Sequence, residues 1–118
     1  MTVGEAIAWV DRNKHNLISR EDKIFWLFTL ESLLTEEVNS LGNSGLPMPE
    51  SGAFGEERQM LLPPAFCAMY LRYLEYQIDY VNQDYRRSNN ALAMLKAEKA
   101  RFDRWLTRTR GKELAHGV

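Results

Sequence analysis

Apolar residues recur at helical spacing in four stretches of the chain, and a glycine- and proline-rich segment separates the second stretch from the third. Thr2-Val3-Gly4-Glu5 has the form of a capping box, with Thr2 capping and Glu5 three positions on. Val3, Ala6, Ile7 and Val10 then predict a short first helix to about Asp11. Asn13-Lys14-His15-Asn16 reads as a turn. Ser19, with Glu21 and Asp22 behind it, caps a second helix whose apolar stripe is Ile24, Leu27, Leu30, Leu34, Val38 and Leu41. Trp26 and Leu33 widen the stripe on one side, Phe28 on the other. Glu31 lies inside the stripe, where a carboxylate needs a partner. A buried or half-buried ion pair and a catalytic acid are its two readings.

From Gly42 to Gln59 the periodicity is lost, and four glycines and two prolines predict a long loop. Leu46, Met48 and Phe54 are its apolar candidates for contact with a partner. Pro63-Pro64 ends the irregular region and opens a third helix, because proline in a first turn gives up a donor that would be unpaired anyway. All five tyrosines fall between positions 70 and 85. On a helical wheel Cys67, Tyr70, Leu71, Leu74, Ile78, Val81 and Tyr85 share one face. Phe66, Met69, Tyr73, Tyr76 and Tyr80 form a second, and Arg72, Glu75, Asp79 and Asn82 make a narrow polar strip. Such a helix either runs through the centre of the fold or turns one face to another subunit, a role that suits tyrosine.

Ser88-Asn89-Asn90 supplies cap residues for a fourth helix, from about Ala91 to Thr109. Ala91, Leu95, Phe102, Trp105 and Leu106 lie on its core side, and Arg101, Arg104 and Arg108 line another face. Short links favour antiparallel third and fourth helices. The expected fold is all-α: four helices in one domain over residues 1–118, a flexible loop at 42–60 and a frayed tail at 111–118. The second, third and fourth helices are expected to carry the core.

At 118 residues, 45% hydrophobic and 26% charged, the chain suits a single globular core. The net charge of −1 hides an asymmetry: residues 1–85 hold six Lys/Arg against thirteen Asp/Glu, and residues 86–118 hold nine against three. The two halves suit either head-to-tail association or a pair of solvated faces. Cys67 is the single cysteine, so neither an intrachain disulfide nor a cysteine zinc site is expected. No signal peptide and no membrane span are expected, and a reducing, aqueous compartment fits. His15 and His116 have no ligand neighbours at metal spacing, Glu36-Glu37 lacks a Glu-x-x-His partner, and no phosphate loop occurs. No enzyme, cofactor or metal is therefore expected. The arginine face, with Arg86, Arg87 and Lys96 upstream, could meet phosphates, but nothing supports sequence-specific DNA reading.

Several stretches together resemble a known family. They are Trp26-Leu27, Leu30-Glu31 and Glu36-Glu37, then Leu61-Leu62-Pro63-Pro64, Tyr70-Leu71, Ile78-Asp79-Tyr80 and Asn82. Asn89-Asn90, Met94, Phe102, Trp105 and Arg108-Thr109 follow, and Met1-Thr2-Val3 with Ala6 and Val10-Asp11 opens the series. In order and spacing they resemble the small head–tail connector (adaptor) proteins of long-tailed bacteriophages and prophages. The resemblance spans nearly the whole chain outside the 42–59 loop. It departs from the family pattern at Ala65-Phe66 and at Arg86-Arg87-Ser88. It implies a homo-oligomeric ring, formed in the host cytoplasm and carried in the virion, between the portal and a stopper or tail-completion protein, with DNA passing through its lumen. The family has no catalytic residues to carry over. For the lateral contacts of such a ring the expected residues are Tyr73, Tyr76 and Tyr80, with Arg101, Arg104 and Arg108 facing an acidic neighbour. A helical regulatory or protein-binding module that uses the 42–60 loop is the alternative.

Overall fold

The computed structural model describes residues 1–42 and 45–109. The expected frayed tail at 111–118, and Asn43 and Ser44 of the loop, lie outside the described residues. Four α-helices follow in order: α1 (Val3–Asn13), α2 (Arg20–Gly42), α3 (Ala68–Val81) and α4 (Tyr85–Thr109). Short 3-10 turns occupy Ser51–Ala53 and Pro64–Phe66, and no strand occurs among the described residues. The fold is all-α.

Two helix starts follow from local chemistry. Thr2 Oγ1 accepts from Glu5 N while Glu5 Oε1 accepts from Thr2 N, so both arms of the capping box form. Ser19 Oγ accepts from Asp22 N at 3.1 Å and caps α2. The third and fourth helices start elsewhere than their sequence indicates. Pro63 and Pro64 lead only into the 3-10 turn, and α3 begins at Ala68. Ser88-Asn89-Asn90 caps nothing. Asp84 does so, its Oδ1 accepting from Arg87 N at 3.2 Å, and α4 begins at Tyr85. Ser88 is then a buried helical residue whose hydroxyl donates to Tyr76 O at 3.1 Å.

The link between α3 and α4 is three residues long and closes as a Schellman motif: Asp84 N donates to Asp79 O at 2.8 Å and Gln83 N to Tyr80 O at 3.0 Å. The left-handed position falls on Gln83, at φ 62°, where glycine is the usual occupant. Gln83→Gly is expected to stabilise the fold by up to about 1 kcal/mol, because the side-chain strain released exceeds the added unfolded-chain entropy. Urea midpoints at constant slope would measure it, and a lower midpoint would refute it. The motif makes α3 and α4 antiparallel: Phe66 packs edge-on against Phe102 at 5.4 Å, one end of the hairpin, while Ser88 meets Tyr76 at the other.

The core is shared by all four helices. Val3, Ala6, Ile7 and Val10 of α1 are fully buried, beside Leu27, Leu34 and Val38 of α2, Met69, Tyr70, Leu74 and Ile78 of α3, and Phe102 and Leu106 of α4. The expectation that the last three helices alone carry the core is corrected, because α1 has a whole apolar face and α2 and α3 pack on it. The inter-helix segment is tied down along its second half. Val3 N donates to Arg58 O, Gly4 N to Glu56 O and Met60 N to Met1 O, at 2.9–3.0 Å, and Thr2 pairs with Gln59 as an isolated bridge. A side chain at Gly4 would meet the Glu56 carbonyl at 3.1 Å, so this close approach favours glycine. Phe54 is buried, edge-on to Phe28 at 5.4 Å. It serves the core, and of the three expected loop contacts only Met48 is largely exposed.

Candidate interaction surfaces

The buried carboxylate of Glu31 is the first site to place, because it carried a catalytic reading. It is 1% exposed, and no cation pairs with it. Tyr70 Oη donates to its Oε1 and Leu61 N to its Oε2, each at 2.6 Å, while Tyr70 Oη accepts from Leu62 N at 3.0 Å. The expected ion pair is thus a clamp of neutral donors joining α2, the Leu61–Leu62 backbone and α3. Burial pushes the Glu31 carboxyl above its usual range, and the two donors draw it only part of the way back. Burial and the adjacent Glu31 charge together push Tyr70 far upward, so its phenol keeps its proton. Each carboxylate oxygen accepts a hydrogen bond from a protein group, which suits holding the loop in place.

Cys67 is buried, as its position on the core face indicated, and its thiol donates to Leu62 O at 3.4 Å. Burial raises its pKa and favours the thiol over the thiolate. Among the described residues no three metal-ligating side chains converge. None of their helices is long and apolar enough to cross a membrane.

The six expected interface residues form two groups. Tyr80 is 56% exposed, and Tyr73 and Tyr76 are half-buried. Phe66 and Met69, assigned by the wheel to the same outward face, are buried in the hairpin. The exposed aromatic patch is built instead by Tyr76, Tyr80 and Tyr85, with ring centroids 6.4 Å and 5.6 Å apart in that order. Tyr85, placed on the core face by the wheel, therefore joins the patch, and Val81, placed there too, is 52% exposed, because α3 stops at Val81 and the chain reverses. Asp79 leaves the polar strip altogether: it is buried and paired with Lys14 Nζ at 3.0 Å.

Arg101, Arg104 and Arg108 come together at the other end of the hairpin, about 28 Å along α4 from Tyr85 at 1.5 Å per residue. With Ala65, Phe66 and Trp105 they line an open groove of about 330 Å³. Arg101 is engaged within the chain: its guanidinium lies 4.6 Å from the Phe66 ring centroid and donates to Ala65 O and to Glu98. Arg104 and Arg108 are exposed and have no acidic partner among the described residues. The tyrosine group and the arginine group are thus separate surfaces. The α2 stripe is narrower than expected: Leu33, expected to widen it, is 60% exposed, and Leu41 at its end is 44% exposed, while Phe25, which the stripe did not include, is 63% exposed. Phe25 sits off the predicted stripe, and that displacement was the available signal.

Set against known proteins, the chain matches no family model, no curated protein and no solved structure.

Proposed function

We propose that the chain is a structural subunit of a head–tail connector ring, assembling between the portal and the tail-completion proteins of a tailed phage or prophage. The resemblance in ordered motifs motivates the reading. The observation that carries it is the Tyr76–Tyr80–Tyr85 patch, an aromatic surface left open at one end of the hairpin. A monomer gains nothing by exposing Tyr80 and Tyr85 beside a half-buried Tyr76, whereas an interface gains large apolar area with hydroxyls that stay hydrated. Assembly is the mechanism, and no catalytic residue enters it. The loop-binding alternative is weakened by Phe54, which is buried against Phe28 and unavailable to a partner.

The test is negative-stain microscopy of the purified chain mixed with the purified portal protein of the same phage or prophage. Wild type is expected to form rings on the portal. Tyr80→Glu is expected to abolish them with helix content unchanged by circular dichroism, because Tyr80 is the most exposed of the three. Normal rings with Tyr80→Glu would remove the patch from the interface. Failure of the wild type to bind the portal at all would reject the connector reading.

A further inference from the structure

The outward face of α2 is the second unpartnered surface, and its chemistry is one-sided. Asp22, Phe25, Thr29, Leu33, Glu36 and Ser40 follow one another within about 80° of helical arc, at 100° per residue. Phe25 and Leu33 are each at least 60% exposed, and Asp22 and Glu36 have no cation partner among the described residues. The basic residues of α2 are both engaged elsewhere: Lys23 is buried on Asp11, at 2.7 Å, and Arg20 pairs with Glu56. α2 therefore presents bulky apolar side chains on a face whose charged residues are all carboxylates.

The groove on α4 has the opposite character. Half-buried Trp105 lines it beside the buried Phe66 ring, on which Arg101 lies, and its rim holds Arg104 and Arg108, which have no acidic partner among the described residues. Along the same outward side lie the exposed small residues Ala93, Ala97 and Ala100, which leave room for a second helix to approach. The two surfaces do not meet within one chain. Where α2 and α4 come close, the link is Lys99, bound to Glu37 at 2.9 Å and to Asp103 at 2.7 Å.

We infer that the outward face of α2 docks on the α4 groove of a second copy. Leu33 enters the Phe66–Trp105 groove, and Glu36, one turn away, meets Arg104 and Arg108. With both helices running in the same direction, Phe25 lies about 12 Å from Leu33 and falls over the alanines, at 1.5 Å per residue. The charges steer and orient the encounter, and the apolar contact holds it. Because two different patches meet, the contact is heterologous and propagates from copy to copy, as a closed ring requires. It rests on the ring reading above, to which it adds the surfaces that meet.

Two variants test it: Leu33→Lys with Glu36→Arg on one face, and Arg104→Glu with Arg108→Glu on the other. All four residues are exposed, so unchanged circular dichroism is expected for both variants. In sedimentation at low salt, with protein raised to about millimolar, wild type is expected to self-associate. Each variant alone is expected to associate about a hundredfold more weakly, since like charges then face each other. An equimolar mixture regains association, because the intact face of each variant meets the intact face of the other. Variants that associate as well as wild type, or a mixture that regains nothing, would overturn this contact and leave the ring reading to the portal experiment. A wild type that stays monomeric throughout the range would also overturn it, again without deciding the portal result.

Discussion

Glu31→Ala is expected to destabilise the fold by about 3–5 kcal/mol, read as a lower urea midpoint at constant slope. The substitution strands two donors at once. Leu61 N and Tyr70 Oη both point at the Glu31 carboxylate from 2.6 Å, and either left unpaired in the interior costs about 1–3 kcal/mol. The space left by the missing atoms adds to that. A loss under 1 kcal/mol would mean that water or a shifted loop replaces the carboxylate, and the clamp would then be incidental.

The same residue predicts a pH dependence. The folded pKa of Glu31 is raised above its unfolded value of about 4.5, chiefly by burial. Between the two values the folded state binds the extra proton, so stability is greatest below the unfolded value and falls as pH rises through the folded one. Glu31→Gln removes this slope, although glutamine can accept from only one of the two donors and turns an amide toward the other. Subtracting the variant's unfolding free energy from that of wild type at each pH isolates the effect. The difference should decline as pH rises from about 4.5. A difference that grew instead would show that the two hydrogen bonds outweigh desolvation.

Much of this architecture was legible in the sequence wherever the deciding interaction is local. The Thr2–Glu5 capping box and the Ser19 cap involve residues three apart, and both form where the residues indicate. Helical periodicity likewise located the core of α2 through Leu27, Leu34 and Val38. The start of α4 was misread because Ser88-Asn89-Asn90 resembles a cap in isolation. Ser88 instead satisfies its hydroxyl on Tyr76 O, twelve residues back, which only the hairpin makes possible. The partners of Glu31 lie 30 and 39 positions away, beyond any local pattern. The docking of residues 56–60 against the N-terminus rests mainly on backbone hydrogen bonds, and Gly4 at the close approach to Glu56 is an inconspicuous mark of it in the sequence. The separation of the tyrosine and arginine surfaces has a similar cause. Each set is contiguous on a wheel, but the reversal at Gln83 sends them to opposite ends. The Tyr85 ring completes the exposed patch only because that reversal brings it beside Tyr80.

Lys14→Met is expected to cost about 3–5 kcal/mol, a loss out of proportion to a residue in an apparent surface turn. Lys14 Nζ reaches both carboxylate oxygens of Asp79 at 3.0 Å, and the two side chains are only 16% and 6% exposed. Removing the cation leaves a buried carboxylate without its counter-charge, which is far more costly than losing an exposed pair. The double variant Lys14→Met, Asp79→Leu should recover most of the loss, because two apolar groups of similar size replace both charges. Raising the salt concentration should change the wild-type pair little, since screening acts weakly on buried charges. The pair also has a positional consequence. It fixes the end of α1 to the last turn of α3, where Asn82 Nδ2 adds a hydrogen bond to His15 O at 3.3 Å. Tyr80 follows Asp79 directly, so the ion pair sets the framework that presents the aromatic patch. If the single variant loses stability and the double variant regains it without regaining ring formation on the portal, the charge pair positions that patch as well as stabilising the fold. If stability and assembly recover together, burial alone accounts for Lys14, and the patch needs only an intact hairpin.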